Sequence, residues 1–153
     1  MVSSIDILKE PPLFLTQNQR ELYFEQGYLI FPQLIPVDQI EELRVLVSDI
    51  VDSTRALTRS SNQVDIEKDH SEDNPRLRRV AYVDDRDPLL WRLCADSVIT
   101  DIAADLVGPN VCFREMMLNC KPAHGGSEVK WHQDICFYPH THLGTMQFLV
   151  FLQ

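Results

Sequence analysis

The sequence predicts an α+β domain in which helices come first and strands follow. Three observations carry that reading. Apolar residues recur at helical spacing between residues 16 and 108. Beyond Gly108-Pro109 the pattern changes to short apolar and aromatic runs separated by turn residues. No internal repeat or low-complexity tract interrupts the chain, and 153 residues suit one domain with a real core. Segregated helices and strands are the signature of α+β architecture.

Each element has its own signal. Thr16 followed by Gln19 has capping-box spacing and Gly27 supplies a stop, so a helix is expected over Gln17–Gln26. Tyr28-Leu29-Ile30-Phe31, closed by Pro32, reads as a short strand. Pro36 opens a second helix carried by Ile40, Leu43, Leu46, Val47, Ile50 and Val51. Residues 52–76 turn polar and read as a long surface loop, either a mobile lid or a solvated connection. Asp87-Pro88 starts a third helix bearing Leu89, Leu90, Trp91, Leu93 and Cys94. Ile99, Ile102, Ala103, Leu106 and Val107 make a fourth, ended by Gly108-Pro109. Strands are then expected over residues 111–119, 129–138 and 145–152, with a Pro/Gly turn over residues 122–127 joining the first two.

Composition narrows the function classes. Fourteen basic against twenty-three acidic residues give a net charge of −9, which argues against non-specific binding to nucleic acid or anionic membrane. No run of eighteen apolar residues is present and no secretory signal is visible, so the protein reads as intracellular and cytoplasmic. The four cysteines form no CxxC pair and read as reduced structural thiols. A phosphate-binding glycine loop and a nucleophile elbow are both missing.

The run Lys130-Trp131-His132-Gln133-Asp134 carries the chemistry. In an extended strand His132 and Asp134 project to one side and Gln133 to the other. An imidazole and a carboxylate on one face are two of the three ligands of a facial triad, which suits non-haem Fe(II) oxygenases. Trp131, Ile135, Phe137 and Tyr138 are expected to surround the pair and exclude water. A purely structural His–carboxylate pair is the alternative. His140 and His142 form a second pair beside a turn, and His70 and His124 read as surface residues. Cys120, His124, Cys136 and His140 could make a structural zinc site, although their spacing only loosely fits one.

Leu15-Thr16-Gln17, Gly27-Tyr28-Leu29-Ile30 and the helix opening Val37-Asp38-Gln39-Ile40 form one part of an ordered set. Met117-Leu118-Asn119-Cys120-Lys121-Pro122, Gly125-Gly126 and Trp131-His132-Gln133-Asp134 complete it. The set resembles the phytanoyl-CoA dioxygenase family from about Leu15 to Gln153. The resemblance implies N-terminal helices packed on a double-stranded β-helix (jelly roll). It implies an Fe(II)- and 2-oxoglutarate-dependent hydroxylase acting with O2 on a small organic or acyl substrate, with ascorbate as an optional accessory. By position His132 and Asp134 would be iron ligands, while Met117, Asn119 and Gln133 would line the 2-oxoglutarate pocket. Arg78 falls where members carry a lysine contacting 2-oxoglutarate, and Arg79 is an equal occupant; either guanidinium could hold a carboxylate. Retention of Asp134 favours hydroxylation over halogenation, since related halogenases replace that carboxylate.

Family members also carry a second metal-binding histidine and a distal arginine well downstream, which this chain does not reach. Residues 1–153 are therefore expected to form a single partial domain: a helical part over about 16–108, then the first jelly-roll strands over about 111–153. Such a fragment should be inactive alone. The strong strand material Phe148-Leu149-Val150-Phe151-Leu152 would then be left as an apolar edge. The competing reading is a non-catalytic binding or regulatory module that keeps part of the scaffold.

Overall fold

The computed structural model describes residues 4–122, 125–138 and 144–152. Its contacts divide the chain into two compact units. The first gathers Met1–Leu34, Arg92–Phe113 and Trp131–Phe151; the second gathers Ile35–Trp91, Arg114–Lys130 and Leu152–Gln153. The helices are α1 (Ser4–Ile7), α2 (Gln17–Gln26), α3 (Val37–Ser53), α4 (Pro88–Ala95) and α5 (Val98–Val107). The strands are β1 (Val64–Ile66), β2 (Leu77–Ala81) and β3 (Met117–Asn119). Among the described residues, no helix is long and apolar enough to cross a membrane.

The expected helices form because their end signals work as chemistry. The Thr16 hydroxyl oxygen accepts from the Gln19 N–H at 3.2 Å, and the Gln19 side chain accepts from the Thr16 N–H at 2.9 Å. These bonds satisfy donors that the first turn of α2 leaves open. At the other end Gly27 sits at φ 87°, where a side chain would be strained, and its N–H closes on the Tyr23 carbonyl at 2.8 Å. Ser97 and Thr100 repeat the reciprocal cap at the start of α5, and Gly108 follows its end. The four-residue α1 and the strand β2 carried no signal strong enough to be read.

In the first unit Leu15, Ile102 and Leu106 form the buried centre, with Tyr23, Leu29, Phe31, Leu34, Val98, Met146 and Phe148 packed against it. A polar staple holds the N-terminal segment there. The Asp105 carboxylate on α5 accepts the consecutive backbone N–H groups of Leu13 (2.7 Å), Phe14 (2.9 Å) and Leu15 (2.7 Å). Arg20 on α2, 1% exposed, donates from Nε to the Asp105 carbonyl at 3.1 Å. It also donates to the carbonyls of Glu10, at 2.8 Å, and Ile7. A buried cation and a buried carboxylate are tolerable only when surrounded in this way.

The strand expectations are corrected in part. Tyr28 to Phe31 keeps the alternation of a strand, Leu29 and Phe31 inward and Tyr28 and Ile30 exposed, but it joins no ladder. The same holds for residues 145–152. Of residues 111–119 only β3 is paired, and residues 129–138 hold a 3-10 turn in place of a strand. Apolar alternation selects an extended chain, whereas a strand also needs a neighbour for its backbone groups. Mixed α+β architecture is present, with one three-stranded sheet among the described residues.

That sheet lies in the second unit, antiparallel in the order β1-β2-β3. The polar stretch expected to be one long loop contains β1, and its continuation is tied down. The Glu67 carboxylate, itself buried, accepts the Ser127 N–H at 2.7 Å and the Ser127 hydroxyl at 2.5 Å. Lys121 donates to the Ser127 carbonyl at 3.0 Å, and Arg76 donates to the Gly125 carbonyl. Space is tight at Gly126: a Cβ there would stand 3.2 Å from Pro122 Cδ and 3.3 Å from Glu67 Oε1, so its neighbours would have to give slightly. The Ser127 hydrogen bonds hold the Glu67 carboxyl below its usual range, helped by the charges of Arg78 and Arg76 and opposed by burial.

Asp105→Ala leaves the Leu15 amide unpaired in a buried site and those of Leu13 and Phe14 in part-buried ones, and should lower the unfolding free energy by about 3 kcal/mol in urea titrations. Thr16→Ala, which loses one exposed cap, should cost about 1 kcal/mol. Glu67 binds its proton more weakly folded than unfolded, so its stabilisation is present above the ordinary carboxylate range. It is lost as pH falls through the lowered folded value. The stability gap between wild type and Glu67→Gln should therefore close on acidification, read from urea midpoints across pH.

Candidate metal centre

His132 and Asp134 are brought together, though not by a strand. The backbone is extended at Gln133 (φ −111°, ψ 131°) and then enters a 3-10 turn over Asp134–Cys136. The Cys136 N–H bonds the Gln133 carbonyl at 3.0 Å, and the N–H groups of Phe137 and Tyr138 bond the Asp134 carbonyl at 2.8 and 3.1 Å. The turn swings the carboxylate back so that His132 Nε2 and Asp134 Oδ1 stand 3.2 Å apart. Gln133 is exposed and caps the turn.

That separation lies within the range of an ordinary N–H···O hydrogen bond. It is equally compatible with two neighbouring donors on one first-row divalent ion, which stand about 3.0 Å apart when each is about 2.1 Å from it at roughly 90°. One imidazole with one carboxylate is a donor set that Fe(II) accepts. Among the described residues no group of three or more His, Cys, Asp and Glu converges to hold a metal.

The expected water-excluding shell is corrected. Phe137 packs edge-on to the His132 ring at 5.4 Å, fixing one side of it. Trp131, however, is fully exposed and Phe137 is 66% exposed. Ile135 and Tyr138 are half-buried, and the side chains of His132 and Asp134 are 39% and 33% exposed. With its aromatic neighbours turned outward, the pair is open to water.

The remaining candidates lie on the sheet of the second unit, where the register sorts them. Paired residues share a face: Arg79 stands opposite Asn119, Ala81 opposite Met117, and Val80 opposite Leu118. Met117, Asn119 and Arg79 therefore lie on one face, and Arg78 belongs to the other. Arg78 thus shares no sheet face with Met117 and Asn119. Arg79 pairs with Asp65 at 2.7 Å, while the charge of Arg78 acts on Glu67. Sequence spacing could not separate two adjacent arginines; strand register does.

Of the other histidines, His124, His140 and His142 lie outside the described residues. His70 is half-buried rather than a surface residue, and its Nδ1 accepts the Arg76 N–H at 2.9 Å. None of the four cysteines is in a disulfide. Burial pushes the Cys120 thiol up.

Comparison with known proteins gives this geometry a context. The family described as Phytanoyl-CoA dioxygenase (PhyH) matches residues 23–152. The chain belongs to the phytanoyl-CoA dioxygenase family. It is 28% identical over 141 residues to a probable alpha-ketoglutarate-dependent hypophosphite dioxygenase of Stutzerimonas stutzeri, covering 89% of this chain and 47% of that protein. It is 28% identical over 130 residues to the peroxisomal phytanoyl-CoA dioxygenase of Homo sapiens, covering 82% and 38%. The fold matches the crystal structure of EctD from S. alaskensis with bound Fe, at a TM-score of 0.68 and 23% identity, over 82% of this chain and 43% of that one. The chain thus spans less than half the length of these relatives.

Anaerobic calorimetry with Fe(II), or Co(II) absorbance, checks the pair. Were the pair to hold the ion, His132→Ala and Asp134→Ala should each weaken binding by at least about tenfold.

Proposed function

We propose that residues 1–153 form one partial domain of an Fe(II)- and 2-oxoglutarate-dependent dioxygenase that hydroxylates a small organic or acyl substrate. The observation that carries the reading is the 3.2 Å spacing of His132 Nε2 and Asp134 Oδ1 within the family match over residues 23–152.

When bound, Fe(II) supplies the redox chemistry by which O2 is consumed with 2-oxoglutarate. The chain's own residues hold and orient. His132 and Asp134 hold the ion through one nitrogen and one oxygen, with Phe137 fixing the imidazole plane. The Asp134 carboxylate fills the position a halide would need, which favours hydroxylation. Met117 and Asn119 line the co-substrate pocket by family position, and Gln133 stands between the two ligands. Arg79 is the better candidate than Arg78 for a co-substrate carboxylate, because it shares the face of Met117 and Asn119. Its pair with Asp65 has side chains 43% and 27% exposed and is cheap to open, about 0–1 kcal/mol. Guanidinium geometry suits a bidentate carboxylate.

The test is succinate formation from 2-oxoglutarate by a polypeptide carrying this chain and the remaining length of its relatives. His132→Ala and Asp134→Ala should each abolish turnover; unchanged rates in both sink the proposal. Arg79→Ala should raise the KM for 2-oxoglutarate by about tenfold or more, with Arg78→Ala nearer wild type.

A further inference from the structure

Arg79 stands at the centre of a row that crosses the three-stranded sheet. Asp65 of β1 lies directly opposite it on one side and Asn119 of β3 on the other, so the three side chains share one face. Met117, opposite Ala81, continues that face. The guanidinium is committed to one end of the row. Its Nη2 lies 2.7 Å from Asp65 Oδ2, on the side of β2 away from Asn119 and Met117. Among the described residues, neither side chain of this pair has another hydrogen-bond or ion-pair partner.

The two partners differ in reach. An aspartate carries its carboxylate on a short stem and keeps it where the strand puts it, whereas an arginine turns about several side-chain bonds. A guanidinium held by Asp65 is therefore drawn toward β1. The same guanidinium can swing across its own strand toward β3 when a second carboxylate is offered there. Both side chains of the pair are partly exposed, so the exchange starts from a weak bond. The guanidinium fork that matches one carboxylate matches the other equally well. What changes is Asp65, which loses its cation and is left beside an incoming anion of its own sign.

We propose that Asp65 is the resting partner of Arg79, a carboxylate built into the sheet that holds the guanidinium until 2-oxoglutarate displaces it. Asp65 is thus a positioning residue that competes with the co-substrate and lowers its affinity. The identity of the anion rests on the oxygenase reading above; the competition for Arg79 goes beyond it. A carboxylate that only braced the strands, or oriented the guanidinium for its ligand, would raise affinity or leave it alone. The sign of the effect separates these roles.

The test is the dissociation constant of 2-oxoglutarate, read by anaerobic calorimetry beside the KM for succinate formation, in the longer polypeptide of that assay. Asp65→Asn keeps the size of the side chain and removes its charge. It should tighten binding and lower KM by about two- to fivefold with kcat unchanged, the worth of one partly exposed ion pair. Asp65→Ala should act in the same direction, and Asp65→Glu, which keeps a carboxylate, should stay near wild type. In an Arg79→Ala background Asp65→Asn should change nothing, because the contested cation is gone. If both neutral variants bind as wild type or more weakly, or if the tightening persists without Arg79, the exchange is overturned while succinate formation leaves the oxygenase reading standing. Failure of wild type and Asp65→Asn alike to bind 2-oxoglutarate overturns both together.

Discussion

Backbone polar groups laid against an apolar core must find partners, and in this protein side chains supply many of them. Asp105 takes three consecutive N–H groups at residues 13–15, and Arg20 takes carbonyls at Ile7, Glu10 and Asp105. Together they do for an irregular N-terminal segment what a neighbouring strand would do for a regular one. That lets Leu15 reach the centre of the first unit beside Ile102 and Leu106. Glu67 plays the matching part in the second unit by accepting both donors of Ser127.

The same requirement explains where regular structure stops. Residues 28–31 and 144–152 have strand-like alternation and strand-like composition, yet neither has a ladder. Their inward side chains still pack, which shows burial and hydrogen bonding acting on the same residues as separate forces. Burial alone selects the extended backbone; pairing alone makes it a strand.

The His132–Asp134 pair depends on a local constraint rather than on a sheet. A 3-10 turn at Asp134–Cys136 returns the carboxylate toward the imidazole, and its hydrogen bonds come from Cys136, Phe137 and Tyr138. Two-residue spacing thus brings the imidazole and the carboxylate together through a turn and not through one strand face. The residues read as a protective shell do not close over the pair, because Trp131 and Phe137 find no apolar cover among the described residues.

Local chemistry decided what the sequence alone could determine. The capping box at Thr16 and Gln19, the stops at Gly27 and Gly108 and the apolar periodicity of α3 and α5 act within a few residues, so the helices were legible. So were the candidate ligands His132 and Asp134, because their types and spacing carry the chemistry. Tertiary structure decided what depends on distant partners. Burial of Arg20 follows from carbonyls up to 85 positions away. The faces that Arg78 and Arg79 take follow from pairing with β3, roughly forty residues along the chain, since strand register sets which face a side chain takes.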